Sequence, residues 1–315
     1  MPYISVSRTN SPYSNLAAEE YLTENVDSPT MFLWVNSPSV IMGKFQNVYR
    51  ECNLEYMRSK GILPVRRTTG GGAVYHDLGN LNYSFIIPNS EYDVGRQNKV
   101  ISEALAVFGI EPLFGGRNDL EIRGRKAGGA AYFKGAKNSL HHGTLLISLD
   151  LSEAERALTP NKLKLAAKGV DSVRRRIINL SDLNPDITTE KLIDALIRSF
   201  GSGYGVSREV HYNEKALAEK AAKFSSDEYV YGLNPPFDVT LEGRLSAGTV
   251  ALSLSVKRGV IKDCLLTGDF LDDSLPERIK SVVLNRKYTD LNDIFSDSET
   301  LSEFARLTEG DAGRT

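Results

Sequence analysis

The chain of 315 residues predicts an α/β protein of the α+β type, with a mixed or antiparallel sheet flanked by helices and a small α/β domain behind it. Three observations predict this. Alternating apolar segments of strand length are interspersed with helix-spaced ones over residues 1–228, with no internal repeat. Residues 229–236, with Gly232 and Pro235-Pro236, read as a linker after which the chain changes character. Residues 237–315 then hold three strands joined by short Gly-containing turns, followed by helices. This small domain carries nothing that reads as catalytic.

Taken in order, Ser14 or Asn15 caps a helix carrying Leu16 and Leu22, and residues 31–35 and 40–42 read as buried strands separated by Ser37-Pro38. Trp34 lies in the first of these strands, as core filler or ligand contact. Residues 53–60 look helical, 63–67 extended, and 81–86 form an alternating strand closed by Pro88. A helix with Val100, Ile101 and Leu105 stops at Gly109, and residues 120–133 read as a hairpin turning at Arg123-Gly124. Residues 139–149 alternate cleanly, with His142 and Thr144 on one face. Thr159-Pro160 starts a helix ending near Gly169, and Thr188 or Thr189 caps another. In the last domain, Ser274 with Glu277 is a capping box, and residues 301–307 are helical.

Hydrophobic residues at 41% and charged ones at 25% are ordinary for a globular protein, and no apolar run is long enough to span a bilayer. Residues 1–10 lack the blocks of a secretory signal, and Cys52 and Cys264 are the only cysteines, so a reducing cytoplasm is expected. A net charge of −2 argues against a dedicated nucleic-acid binder. Within it, Lys162, Lys164, Lys168, Arg174, Arg175 and Arg176 form a basic stretch, either a solvated face or a docking surface.

The chemistry concentrates at residues 66–77, Arg-Arg-Thr-Thr-Gly-Gly-Gly-Ala-Val-Tyr-His-Asp. Three glycines expose backbone N–H groups beside two arginines, a surface suited to phosphate; a flexible turn between strands is the plainer reading. The glycines sit between two strands and lack Gly-Lys-Ser/Thr, so neither a Walker loop nor a dinucleotide fingerprint fits. Lys126 stands among small residues, Ala127-Gly128-Gly129-Ala130-Ala131, which leave room for a ligand beside its ammonium or simply weaken a surface strand. His141-His142 opens the next strand. With four histidines in all and no His/Cys spacing of a zinc site, a structural or substrate-contacting role is favoured over a metal.

In this order, residues 66–77, the segment Gly-Arg-Lys-Ala-Gly-Gly-Ala-Ala-Tyr at 124–132, and His-His-Gly-Thr-Leu-Leu at 141–146 resemble the lipoate–protein ligase family. Similarity continues through residues 164–170, 172–174 and the Tyr231-Gly232 junction, so it covers most of the chain. The resemblance implies two steps: lipoate and ATP give lipoyl-adenylate and pyrophosphate, then a lysine of an apo-lipoyl domain, on an E2 subunit or the glycine cleavage H protein, takes the acyl group. It implies that Lys126 touches the α-phosphate and the lipoyl carbonyl. Arg67, Gly72, Ala73, Val74, Tyr75, Asn118 and Asp119 hold the nucleotide, with Mg²⁺ near Asp119. Leu16, Trp34, Arg67, Gly71, His76, Lys126 and His142 hold lipoate. Phe133 stands where some members carry an arginine, which puts that contact in doubt. Neither cysteine lies in these motifs, which sets aside the cysteine-dependent octanoyl transferases, and the His-Asp after the glycines favours lipoate over biotin. A transferase using preformed lipoyl-adenylate and a non-catalytic adenylate-binding or carrier-docking protein remain as alternatives.

Overall fold

The computed structural model describes residues 1–115, 118–158, 176–210, 212–231, 239–257 and 259–309. The expected helix at 159–169, the linker residues 232–236, His211 and all of the basic stretch except Arg176 lie outside the described residues.

The chain runs β1 (Tyr3–Val6), α1 (Pro12–Asn25), β2 (Thr30–Val35), β3 (Ser39–Met42), α2 (Val48–Glu51), α3 (Leu54–Lys60), β4 (Leu63–Arg66), β5 (Val74–His76) and β6 (Asn80–Pro88). It continues through α4 (Val94–Ala106), β7 (Leu113–Gly115), β8 (Asp119–Ile122), β9 (Arg125–Lys134), β10 (Asn138–Leu146) and α5 (Leu151–Ala157). Next come α6 (Thr189–Tyr204), β11 (Arg208–Glu209), α7 (Glu214–Ser225) and α8 (Asp227–Tyr231). The last part holds β12 (Val239–Leu245), β13 (Gly248–Lys257), β14 (Val260–Gly268), α9 (Leu275–Val283), α10 (Leu291–Ser296) and α11 (Ala305–Glu309).

Eight strands form the main sheet in the order β11-β1-β2-β6-β10-β9-β8-β7. β1 pairs parallel with β11 and β2, and β2 onward is antiparallel, so the sheet is mixed as expected. Strand β2 is apolar almost throughout because both sides of the sheet are covered. Its Met31 and Leu33 join a core with Ile101 and Leu105 of α4 and Leu196 and Phe200 of α6. Its Phe32 and Trp34 face the other way, into a core with Leu16 and Leu22 of α1 and Phe224 of α7. A second small sheet, β4-β3-β5, carries the glycine loop, and β12-β13-β14 packs with α9–α11 around a core of its own.

Local chemistry explains two departures from expectation. Helix α1 is capped by Ser11, whose side chain accepts from the Ser14 N–H, because Pro12 is suited to the first helical turn and moves the start upstream of Ser14. At α9 no capping box forms; the Ser274 hydroxyl donates to Asp272 Oδ1 at 2.6 Å instead. Tyr229 to Tyr231, expected in the linker, close α8, where Val230 is buried.

Candidate active site

The glycine loop leaves β4 on one side of β3 and returns as β5 on the other, so it arches over the end of β3. Both arginines before it point into the protein. The Arg66 guanidinium donates to the carbonyls of Gly43, Lys44, Gln46, Tyr229 and Val230. Arg67 donates from Nε to Thr69 Oγ1 at 2.9 Å, from Nη1 to the Ile41 and Gly72 carbonyls, and from Nη2 to the Gly70 carbonyl at 2.6 Å. Burial lowers the pKa of Arg67 to about 10, which leaves it charged at neutral pH. Backbone carbonyls and Thr69 take donors from Nε and both Nη atoms of Arg67, so it shapes the loop. Gly72, Ala73 and Val74 are half-exposed, whereas Tyr75 is buried. The Gly71 N–H donates to the Phe270 carbonyl at 3.0 Å, which brings the C-terminal part of the chain onto the loop.

Behind the loop lies a buried polar chain. Trp34 Nε1 donates to Ser84 Oγ at 3.1 Å, and Ser84 donates to Glu19 Oε1 at 2.5 Å. Glu19 Oε1 also lies 2.8 Å from His142 Nδ1, and His142 Nε2 lies 2.9 Å from Thr69 Oγ1. A carboxylate is acceptor-only, so His142 carries its proton on Nδ1; Thr69, which accepts from Arg67, then donates to Nε2. His76 is fixed similarly. Asn15 Nδ2 donates to Asn36 Oδ1 at 2.9 Å, which turns Asn36 Nδ2 toward His76 Nδ1 at 3.2 Å. His76 Nε2 therefore bears the hydrogen, with no partner among the described residues. Burial, then the nearby Arg67 charge, drives the His76 pKa down to about 3. Its ring meets Trp34 edge-on with centroids 6.2 Å apart, and Leu16 belongs to the same core as Trp34.

The structure thus brings Leu16, Trp34, His76 and His142 together, with Gly71 across Arg67 from them. Sequence reasoning missed Glu19, Ser84, Thr69, Asn15 and Asn36. For Glu19 a signal existed: it falls between Leu16 and Leu22 at helical spacing, a carboxylate in the buried stripe. Phe133 packs partly buried against the α1 core, so it takes no arginine-like part.

The second half of the site is the β8–β9 hairpin. Arg123 and Gly124 both have positive φ, at 52° and 70°, the mirror-image turn that matches the twist of paired strands. Lys126 Nζ lies 2.6 Å from Asp119 Oδ1. A Cβ on Gly129 would come within 3.1 Å of that Nζ, so the small residue makes room for the ammonium. Asn118 holds the strand through its carbonyl, which accepts from the Ala130 N–H at 2.7 Å. Strand β10 ties the halves together: His142 pairs with Ala131 and bonds Thr69, while Thr144 Oγ1 accepts from the Gly129 N–H. Beside Asp119 opens a cavity of about 190 Å³, with Tyr83, Tyr132 and Ala130 in its wall. No group of three His, Cys, Asp or Glu side chains among the described residues is placed to hold a metal.

A mixed-sheet domain that sets a glycine loop beside a lysine hairpin is an architecture this chain shares with ligases that act on lipoate. Residues 11–201 match the family model of the lipoyl protein ligase A/B catalytic domain, and residues 234–311 match that of the bacterial lipoate protein ligase C-terminus. A relative from Psychrobacter cryohalolentis named lipoate-protein ligase A is 36% identical over 305 residues, 91% of this chain and 89% of the relative. Among solved structures, Plasmodium falciparum LipL1 in complex with lipoate superposes with a TM-score of 0.81 at 31% identity, covering 99% of both chains. A lipoate-protein ligase A bound with ATP gives 0.65 at 27% identity, covering 74% of this chain and 99% of that one. The chain belongs to the lipoate–protein ligase A family.

Proposed function

We propose that the protein activates lipoate with ATP and transfers the lipoyl group to a lysine of an apo-lipoyl domain, of the kind found on E2 subunits and the glycine cleavage H protein. Family membership makes it a ligase acting on lipoate. The observation that carries the two-step reading is the placement of one cation, Lys126, across β10 from a loop whose peptide planes are pinned by Arg67. In the first step a lipoate carboxylate oxygen attacks the α-phosphorus and pyrophosphate leaves. Negative charge grows on the α-phosphate oxygens, and a preset ammonium with fixed backbone dipoles stabilises it most where water is excluded. In the second, the acceptor amine attacks the acyl carbon, the C–O bond to phosphate breaks, and AMP departs.

The acyl chain of lipoate lies along Leu16, Trp34, Gly71, His76 and His142, and the nucleotide along residues 72–75 with Asn118 and Asp119. Arg67 acts by holding the loop. The oxygen donors of Asn118 and Asp119 suit Mg²⁺ delivered with the phosphates, since Mg²⁺ is commonly held by one or two carboxylates plus substrate oxygens. Bound there, Mg²⁺ would neutralise the departing pyrophosphate. The C-terminal part, residues 237–315, sits against the loop for adenylation and moves aside for transfer. A cytoplasmic setting fits the two cysteines, which are free and buried, with burial raising their pKa to about 12 and about 11.

The test is to supply lipoate, ATP and Mg²⁺ with and without an apo-lipoyl domain, reading pyrophosphate and acylated product separately. Wild type releases pyrophosphate; Lys126→Ala lowers that release roughly a hundredfold or more with an unchanged thermal melt. Release by the variant close to wild type removes Lys126 from its role, and transfer only from supplied lipoyl-adenylate would establish the transferase alternative.

A further inference from the structure

Side chains from α1, β2, β6 and β10 meet the glycine loop along one polar path: Trp34, Ser84, Glu19, His142, Thr69 and Arg67, all buried. Ser84 and His142 are register partners on β6 and β10, which brings both side chains to Glu19 on α1. Along this path each group dictates the next. The Glu19 carboxylate only accepts, so His142 offers Nε2 as an acceptor to Thr69. The Thr69 hydroxyl gives its single proton there, and its oxygen takes the Arg67 Nε–H at 2.9 Å. Arg67 in turn holds the carbonyls of Gly70 and Gly72. Burial lowers the Arg67 pKa, and the Glu19 charge opposes that fall from the other side of Thr69. Thr69 is thus where the path crosses from the Trp34–His142 side of the interior to the loop.

We infer, resting on the two-step reading above, that Thr69 is a positioning residue that couples the acyl and nucleotide regions, so that lipoate and ATP each tighten the binding of the other. A lipoyl chain packed on Trp34 and His142 restricts both side chains. Thr69 passes that restriction to Arg67, and Arg67 passes it to the peptide planes of Gly70 and Gly72. A loop ordered by the first ligand leaves less conformational entropy for the second to remove. Linkage makes the effect reciprocal: the factor by which lipoate tightens ATP is the factor by which ATP tightens lipoate. The hydroxyl is the working group. Serine at this position keeps both hydrogen bonds, whereas valine has the shape of threonine and makes neither.

Trp34 is the chain's single tryptophan and its indole N–H begins the path, so its emission reports lipoate binding. Lipoate is titrated with and without α,β-methylene-ATP and Mg²⁺; the methylene bridge of this analogue cannot be cleaved to release pyrophosphate. In the wild type the analogue should lower the Kd for lipoate roughly five- to fiftyfold. In Thr69→Val that factor should shrink to about twofold or less, and Thr69→Ser should restore it. Thermal melts without ligand establish that the variants fold, with Thr69→Ala taking the place of Thr69→Val if the latter does not. A variant damaged only in packing would bind lipoate more weakly with and without the analogue and keep the wild-type factor, which overturns the inference. Loss of the factor in Thr69→Ser overturns it too. So does a wild type that binds lipoate without responding to the analogue, and pyrophosphate release by that wild type from lipoate and ATP leaves the two-step reading standing. A wild type that releases no pyrophosphate overturns the two-step reading itself.

Discussion

Replacing Gly70 by alanine is the sharpest perturbation of the contact between the glycine loop and the C-terminal part of the chain. A Cβ there would lie 2.4 Å from the Phe270 carbonyl oxygen and 3.0 Å from Leu271 Cα. Both are backbone atoms, so neither can rotate away. Opposing the displacement are two backbone hydrogen bonds, Gly71 N–H to Phe270 O at 3.0 Å and Gly268 N–H to Phe45 O at 2.9 Å. The Phe45 and Phe270 rings add a stacked pair at 4.6 Å, and Lys44 Nζ lies 3.1 Å from Asp273 at a partly exposed site. At about 1 kcal/mol for each hydrogen bond, about 1 for the ring pair and under 1 for the ion pair, the contact is worth about 3 kcal/mol. Overlap with fixed backbone at that distance exceeds what such a contact can absorb, so the two surfaces part. Hydrogen exchange of peptides covering residues 66–76 and 266–272 should speed up by roughly a hundredfold, while β6 and β10 keep their protection. In activity, pyrophosphate release should fall while transfer from supplied lipoyl-adenylate persists. Unchanged exchange in both peptides, or a parallel loss of protection in β6 and β10, refutes the reasoning.

Acid should weaken the fold through two histidines. Burial depresses the pKa of His76 and of His141 from 6.5 to about 3, so both are neutral when folded and charged in the unfolded chain below pH 6.5. Their contribution is therefore present above pH 6.5 and lost as pH falls toward 3, at up to about 1.4 kcal/mol per unit each, or about 2 kcal/mol each by pH 5. Denaturant titrations at pH 7 and pH 5 measure this, and equal stabilities contradict it. Glu19→Ala strands the His142 Nδ1–H and the Ser84 hydroxyl in the interior and should cost about 3–5 kcal/mol, with Glu19→Gln restoring part of it. A denaturation midpoint for Glu19→Ala within error of wild type would dismiss the buried chain as a stabilising element.

What was legible in the sequence was local. The lysine hairpin follows from Arg123-Gly124 and the strands on either side, and the glycines were placed between strands because alternation resumes at once after Pro64 and after Asn80. What was not legible concerns partners far along the chain. Arg66 meets carbonyls of Tyr229 and Val230, 163 and 164 residues away, and nothing beside an arginine says whether its donors face a ligand or the backbone. The same holds for Gly70, whose lack of a side chain is demanded by Phe270 rather than by its own turn. Helix α1 shows the middle case. Its apolar stripe was read correctly, yet Glu19 on that stripe becomes meaningful only once β6 and β10 bring Ser84 and His142 to it.

The buried Arg67 also explains how a run of glycines acquires fixed peptide orientations. Across a trans peptide bond the carbonyl and the following N–H point to opposite sides. Arg67 takes the carbonyls of Gly70 and Gly72, so the N–H groups of Gly71 and Ala73 must point away from it. For Gly71 that outward direction is visible, because its N–H meets the Phe270 carbonyl. Ala73 lies among residues 72–74, which are half-exposed. Glycine gives the loop its close packing, as at Gly70, and its left-handed turn, as at Gly71 with φ of 94°. The arginine supplies what glycine cannot, a fixed orientation for each peptide dipole. Without that guanidinium the planes would be free to turn, and the loop would lose its preset geometry.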